Sequence, residues 1–144
     1  MSAKVFFDTN VLVYAYNDNE PAKKATAKAL FQEHARQGNL VISTQVLQEL
    51  YVTLTRVGKQ KLSQEQAEIV VNHLSDLSLI QVDKNTIAAA MKRHQSKVFS
   101  FWDSLIVEAA LTAGCEQLFS EDMQNGLKIG SLTISNPFAE TVGK

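Results

Sequence analysis

The sequence is poor in the residues that staple or interrupt small proteins. Cys115 is the one cysteine among 144 residues. No internal disulfide can form, and no CxxC or Cys/His spacing marks a zinc site. Two prolines and six glycines leave no stretch of linker composition, and no repeat or low-complexity tract breaks the chain. No uninterrupted apolar run reaches the roughly 18 residues that a membrane span needs. The N-terminal apolar run is broken by Asp8 and Asn10 and preceded only by Lys4, which is unlike a secretory signal. These absences point to one domain over residues 1–144, without a membrane segment, in a reducing cytoplasm. No glycine-rich loop offers to cradle a phosphate, so nucleotide-driven chemistry is not expected.

The net charge is small, −1, and does not advertise a polyanion binder. A group of metal-binding carboxylates would hide a basic rim in that total. Basic clusters exist at Lys23, Lys24 and Lys28, at Arg56, Lys59 and Lys61, and at Lys92, Arg93 and Lys97. Each fits a solvated helix face or end. His34, His73 and His94 fall in helical stretches without a metal-ligand spacing and fit surface or core positions.

What is present is ordinary globular composition, 45% hydrophobic and 20% charged, in a chain long enough to bury a core. Val5-Phe6-Phe7 reads as a short buried strand. Pro21 suits a first helical turn, and residues 22–37 are rich in helix formers until Gly38-Asn39. Leu40-Val41-Ile42 is a second strand, with Ser43 or Thr44 placed to cap the next helix. In that helix Val46, Leu47, Leu50, Tyr51, Leu54 and Val57 share a face, and Gly58 ends it. Ser63 with Gln66 forms a capping-box pattern that opens a helix to about Leu77. A third strand follows at 79–82, then helices over 86–94 and 102–113, the latter closed by Gly114. Gln117-Leu118-Phe119 is a fourth strand and 132–134 a fifth. Strands alternating with helices predict an α/β sandwich, with helices flanking a mainly parallel sheet of four to five strands.

Four acids stand where such a fold gathers chemistry. In open α/β sheets, ligands bind beyond the carboxyl ends of the strands. Asp8 ends the first strand, although it also suits a helix N-cap before Val11-Leu12-Val13. Glu121 and Asp122 follow the fourth strand. Asp103 opens a helix that is apolar nearly all round, and so buried; a carboxylate there needs partners. Glu49 lies beside Val46, off the centre of its helix's apolar face, and taken alone reads as a solvated glutamate. Trp102, next to Asp103, fits the core better than a base-stacking role. Clustered carboxylates suit hard Mg²⁺ or Mn²⁺, which can orient a phosphodiester and activate water.

The motifs Phe6-Phe7-Asp8-Thr9-Asn10-Val11-Leu12, Gln45-Val46-Leu47-Gln48-Glu49-Leu50, Ser100-Phe101-Trp102-Asp103-Ser104-Leu105-Ile106-Val107 and Leu118-Phe119-Ser120-Glu121-Asp122 resemble, in order, those of PIN-domain ribonucleases. The resemblance is to the branch that includes VapC-type toxins of bacterial toxin–antitoxin pairs. Ser104 stands where many relatives have alanine. The resemblance runs from about Val5 to Phe138 and implies a three-layer fold. It implies Asp8, Asp103 and Asp122 as ligands of Mg²⁺ or Mn²⁺, with Glu49 completing the shell or orienting water. Thr9 would support Asp8 by hydrogen bonding. The family pattern sets a Ser or Thr two residues before its last acid, which favours Asp122 over Glu121. The implied activity is RNA cleavage, with a homodimer and an antitoxin as expected partners. A haloacid-dehalogenase-like phosphatase is a rival. There Asp8 would be the nucleophile, but Asn10 replaces the second acid. A non-catalytic binding module is the other rival.

Overall fold

The computed structural model describes residues 3–56 and 62–139. The elements, in chain order, are β1 (Val5–Phe7), α1 (Thr9–Tyr14), α2 (Pro21–Gln37), β2 (Leu40–Ser43), α3 (Thr44–Thr55) and α4 (Gln64–Leu74). They continue with β3 (Ser78–Ile80), α5 (Lys84–His94), α6 (Phe101–Thr112), β4 (Gln117–Phe119), β5 (Lys128–Ile129) and β6 (Leu132–Ser135). The strand order is β3-β2-β1-β4-β6-β5. All pairings are parallel except β5 with β6. Every residue of β1 and β2 is buried, as central parallel strands covered by helices require.

Local chemistry sets the boundaries. The Ser43 hydroxyl accepts from Val46 N and opens α3. Ser63 and Gln66 form the capping box that opens α4. Asp83 caps α5 by accepting from the Thr86 N–H, so that helix begins two residues before the sequence pattern suggests. Gly38, with φ of +72°, takes the left-handed turn that ends α2, a conformation that would strain other residues. The α6 helix buries Ser104, Leu105, Ile106, Val107, Ala109 and Ala110, in line with its all-round apolar sequence. One core joins both faces of the sheet. Its fully buried members include Phe6, Phe7, Ile42, Leu50, Ile106, Leu118, Ile134 and Phe138.

Four further expectations need correction. The sheet has six strands, because the two-residue β5 pairs with β6 across a tight turn at Gly130. Two residues cannot show a period-two pattern. The α4 helix stops at Leu74 rather than near Leu77, and β3 spans Ser78–Ile80. Trp102 is not in the core but 62% exposed. It lies one turn before Leu105 and Ile106, where α6 projects beyond the core those residues reach, and it rests edge-on against Phe101. Val57, Gly58, Lys59 and Lys61 lie outside the described residues. No described helix is long and apolar enough to cross a membrane.

Candidate active site

The strand order reverses direction at β1, which has β2 on one side and β4 on the other. The crevice beyond the carboxyl ends of β1 and β4 is thus a topological switch point, where α/β sheets open a ligand site. The register pairs Phe7 with Phe119, so the next residues, Asp8 and Ser120, face each other across the crevice. The Asp8 N–H donates to the Phe119 carbonyl at 2.9 Å, and the Ser120 hydroxyl donates to Asp8 Oδ2 at 2.8 Å. Asp8 Oδ1 accepts from the Thr9 N–H at 2.8 Å. Asp8 is therefore both the N-cap of α1 and a buried acid at the floor of the crevice. The two readings of this residue describe one geometry.

Glu49 comes in from α3. Its Oε1 accepts from the Thr9 hydroxyl at 2.7 Å, and its Oε2 from Gln45 Nε2 at 3.1 Å. It is half-buried and held at both oxygens, not a freely solvated glutamate. Thr9 thus supports Asp8 only through its main chain; its hydroxyl serves Glu49. Asp103 stands in the first turn of α6, half-buried, with its N–H bonded to the Ser100 hydroxyl. Asp122 lies just past β4 and is exposed, with Oδ2 accepting from Asn10 Nδ2 at 3.0 Å. Asn10 Oδ1 also accepts from the Glu121 N–H, so one α1 amide clamps the Glu121–Asp122 turn. Glu121 points elsewhere. It accepts from the Tyr14 hydroxyl at 2.7 Å and pairs with Lys23 at 2.5 Å. Burial opposes its ionisation, but the bonds from Lys23 and Tyr14 hold its carboxyl below the usual range.

Asp8, Glu49, Asp103 and Asp122 line a single open cleft of about 660 Å³, together with Thr9, Asn10, Tyr14 and Arg56. Glu121 is not part of its lining. The acids feel one another. Asp8 is raised from an ordinary 3.8 to about 6: burial raises it most, the bonds from Ser120 and Thr9 lower it, and the charges of Asp103 and Glu49 raise it. Asp103 is raised by burial, then by the charges of Asp122 and Glu49, against a lowering bond from Ser100. Mutual repulsion of this kind is what a bound cation relieves. The donor set is all carboxylate oxygen, the chemistry hard divalent ions prefer. Among the described residues, no three acids, histidines or cysteines stand close enough to hold an ion as they are.

Three supporting residues escaped the sequence reading. Ser120 entered it only as a spacing marker, Asn10 only as a missing acid, and Gln45 only as part of a motif. Asn10 carried the best available signal, an amide two residues after an acid at a strand end. Lys23, assigned to a solvated face, is in fact partly buried. It lies over the rings of Tyr14 and Phe138 as well as against Glu121. Lys24 pairs with Asp18, and Arg93 with Glu108. His34 packs between Phe7 and Phe119 in the core.

A profile of the PIN domain matches residues 5–124. No curated protein matches. Among solved structures the chain is similar to a toxin–antitoxin complex from Klebsiella pneumoniae. That likeness has a TM-score of 0.69 and 18% identity, over 93% of this chain and 98% of the other. It is similar to the Mycobacterium tuberculosis sarcin-ricin loop cleaving toxin VapC20 with a TM-score of 0.64 and 20% identity, over 83% and 92%. A DNA-bound VapBC from Salmonella typhimurium gives 0.66 and 16%, over 94% and 99%. At such identities these likenesses speak for the fold. Since the profile spans most of the sequence, the chain belongs to the PIN domain family.

Proposed function

We propose that this protein is a metal-dependent endoribonuclease that hydrolyses RNA phosphodiester bonds in the cytoplasm. The observation that carries the reading is the convergence of four carboxylates from four separate elements on one cleft, each electrostatically coupled to another. Asp8, Asp103 and Asp122 would hold Mg²⁺ or Mn²⁺, with Glu49 orienting water beside them. When bound, the ion supplies Lewis-acid polarisation of the phosphate and makes a nucleophile available near neutral pH. The residues of the chain supply the positioning. Ser120 and the Thr9 N–H aim Asp8, Asn10 aims Asp122, and Thr9 with Gln45 fixes Glu49. Arg56, at the end of α3, is the one cationic side chain among the cleft-lining residues described. It is placed to contact a phosphate of the RNA backbone.

Solved structures similar to this chain include toxin–antitoxin complexes, among them FitAB and VapBC assemblies bound to DNA. They support a toxin role for this chain as one nuclease domain, with a cognate antitoxin and a homodimer as partners. The phosphatase alternative finds less support. Asn10, where that chemistry needs an acid, gives its amide to the Glu121–Asp122 turn. The separation of the acids is the one observation favouring a non-catalytic binding module. Incubation with single-stranded RNA and Mg²⁺ or Mn²⁺, against a chelator control, tests the reading. Metal-dependent fragments are expected. Release of phosphate from a monoester with intact RNA would favour the phosphatase, and inertness toward both would favour the binding module.

A further inference from the structure

Gln45 lies in the first turn of α3, one helical turn before Glu49, and is only 6% exposed. Its Nε2 donates to Glu49 Oε2 at 3.1 Å and to the Trp102 carbonyl at 3.2 Å. Both partners are acceptors, so the amide has one workable orientation; reversed, its Oε1 would face two oxygens. In that orientation Oε1 is buried without a hydrogen-bond partner among the described residues. A buried orphan acceptor is costly, and a methionine of similar reach would avoid the cost. Stability alone therefore does not account for a glutamine here.

The two donations link separate parts of the cleft. Trp102 immediately precedes Asp103 in the first turn of α6. One buried amide thus ties the acid on α3 to the peptide that carries the acid on α6. The other Glu49 oxygen is held by Thr9 of α1, so the carboxylate is fixed from two sides. We propose that Gln45 is a positioning residue for the nuclease reaction, which holds Glu49 in register with Asp103 by donating to Glu49 and to the Trp102 carbonyl at once. This inference rests on the ribonuclease reading above. Gln45 itself does not touch the RNA; it acts through Glu49.

The test is Gln45→Met, which keeps the volume and removes the donor, with RNA-cleavage kinetics and thermal melting measured on the same protein. The expected result is a kcat lower by roughly tenfold or more, KM within about twofold, and a melting temperature unchanged or higher. A purely structural glutamine would give the reverse, a lower melting temperature with kcat kept wherever the protein is folded. Gln45→Glu is the second variant. It preserves the shape but sets a carboxylate against two acceptors, and is expected to lose kcat as well when assayed well below its melting temperature. Wild-type kcat in either folded variant, or a loss of kcat in step with a loss of folded protein, would overturn the proposal. An active wild type with an active Gln45→Met overturns this inference alone, whereas an inactive wild type overturns the ribonuclease reading and this inference with it.

Discussion

The Thr9 hydroxyl donates to Glu49 Oε1 at 2.7 Å, joining residues 40 positions apart in the sequence. Thr9 N–H bonds to Asp8 at the same time, so one residue orients two acids by different atoms. The two functions separate by mutation. Thr9→Val keeps the N–H and the side-chain shape but loses the donor, and is expected to lower kcat by about tenfold with Asp8 undisturbed. Thr9→Ser keeps both and should retain most activity. Single-turnover cleavage rates for the pair provide the check; equal rates in Val and Ser variants would contradict the role.

Asp8 makes a stability prediction of definite sign. Its carboxyl is raised to about 6 in the fold against an ordinary 3.8. Between those values the folded state holds a proton that the unfolded state has released. Without metal, the contribution of Asp8 to stability therefore rises as pH falls from about 6 to about 4, and is lower above 6 by about 3 kcal/mol. Asp8→Asn removes the buried charge while keeping an oxygen acceptor. With chelator at pH 7 it is expected to be about 1–3 kcal/mol more stable than wild type, although inactive. Paired thermal melts at pH 4.5 and pH 7 check this, and the gap between the two proteins should shrink at the lower pH.

Glu121 and Asp122 are neighbours with opposite expected behaviour. Glu121 is bound to Lys23 and Tyr14, outside the cleft. Glu121→Gln should cost about 1 kcal/mol or less, because the ion pair is partly exposed, and should leave cleavage intact. Asp122→Asn should leave the melting temperature nearly unchanged and remove most activity. The reverse result would transfer the role to Glu121.

Much of this was legible in the sequence, and the residues show why. Asp8 and Asp103 announced themselves, one at the end of an apolar strand and the other at the start of an all-apolar helix. The parallel α/β arrangement followed from strands alternating with capped helices. Glu49 was not legible from its own helix, because what draws it into the cleft is a hydrogen bond from Thr9. Asp122 was separable from Glu121 only by spacing, since the Lys23 and Tyr14 contacts that turn Glu121 aside are 98 and 107 positions away in sequence. Trp102 was misplaced because a helical face can outrun the core it packs against.

Arg56 offers a test of substrate contact independent of the acids. It lines the cleft without forming any of the ion pairs found among the described residues. Arg56→Gln is expected to weaken RNA binding, leave kcat near wild type, and reduce the slope of log affinity against log salt by about 0.7, as loss of one phosphate contact on a single strand requires. An unchanged slope would remove Arg56 from the interface.

The central claim is that the four carboxylates form one metal-dependent nuclease site. It is tested most directly by cleavage of single-stranded RNA in Mg²⁺ or Mn²⁺ by the wild type and by Asp8→Asn and Asp103→Asn, with folding verified for each. The account predicts fragments from the wild type that disappear with chelator, and none from either folded variant. Full cleavage by folded Asp8→Asn or Asp103→Asn, or cleavage by the wild type that survives chelation, would contradict it.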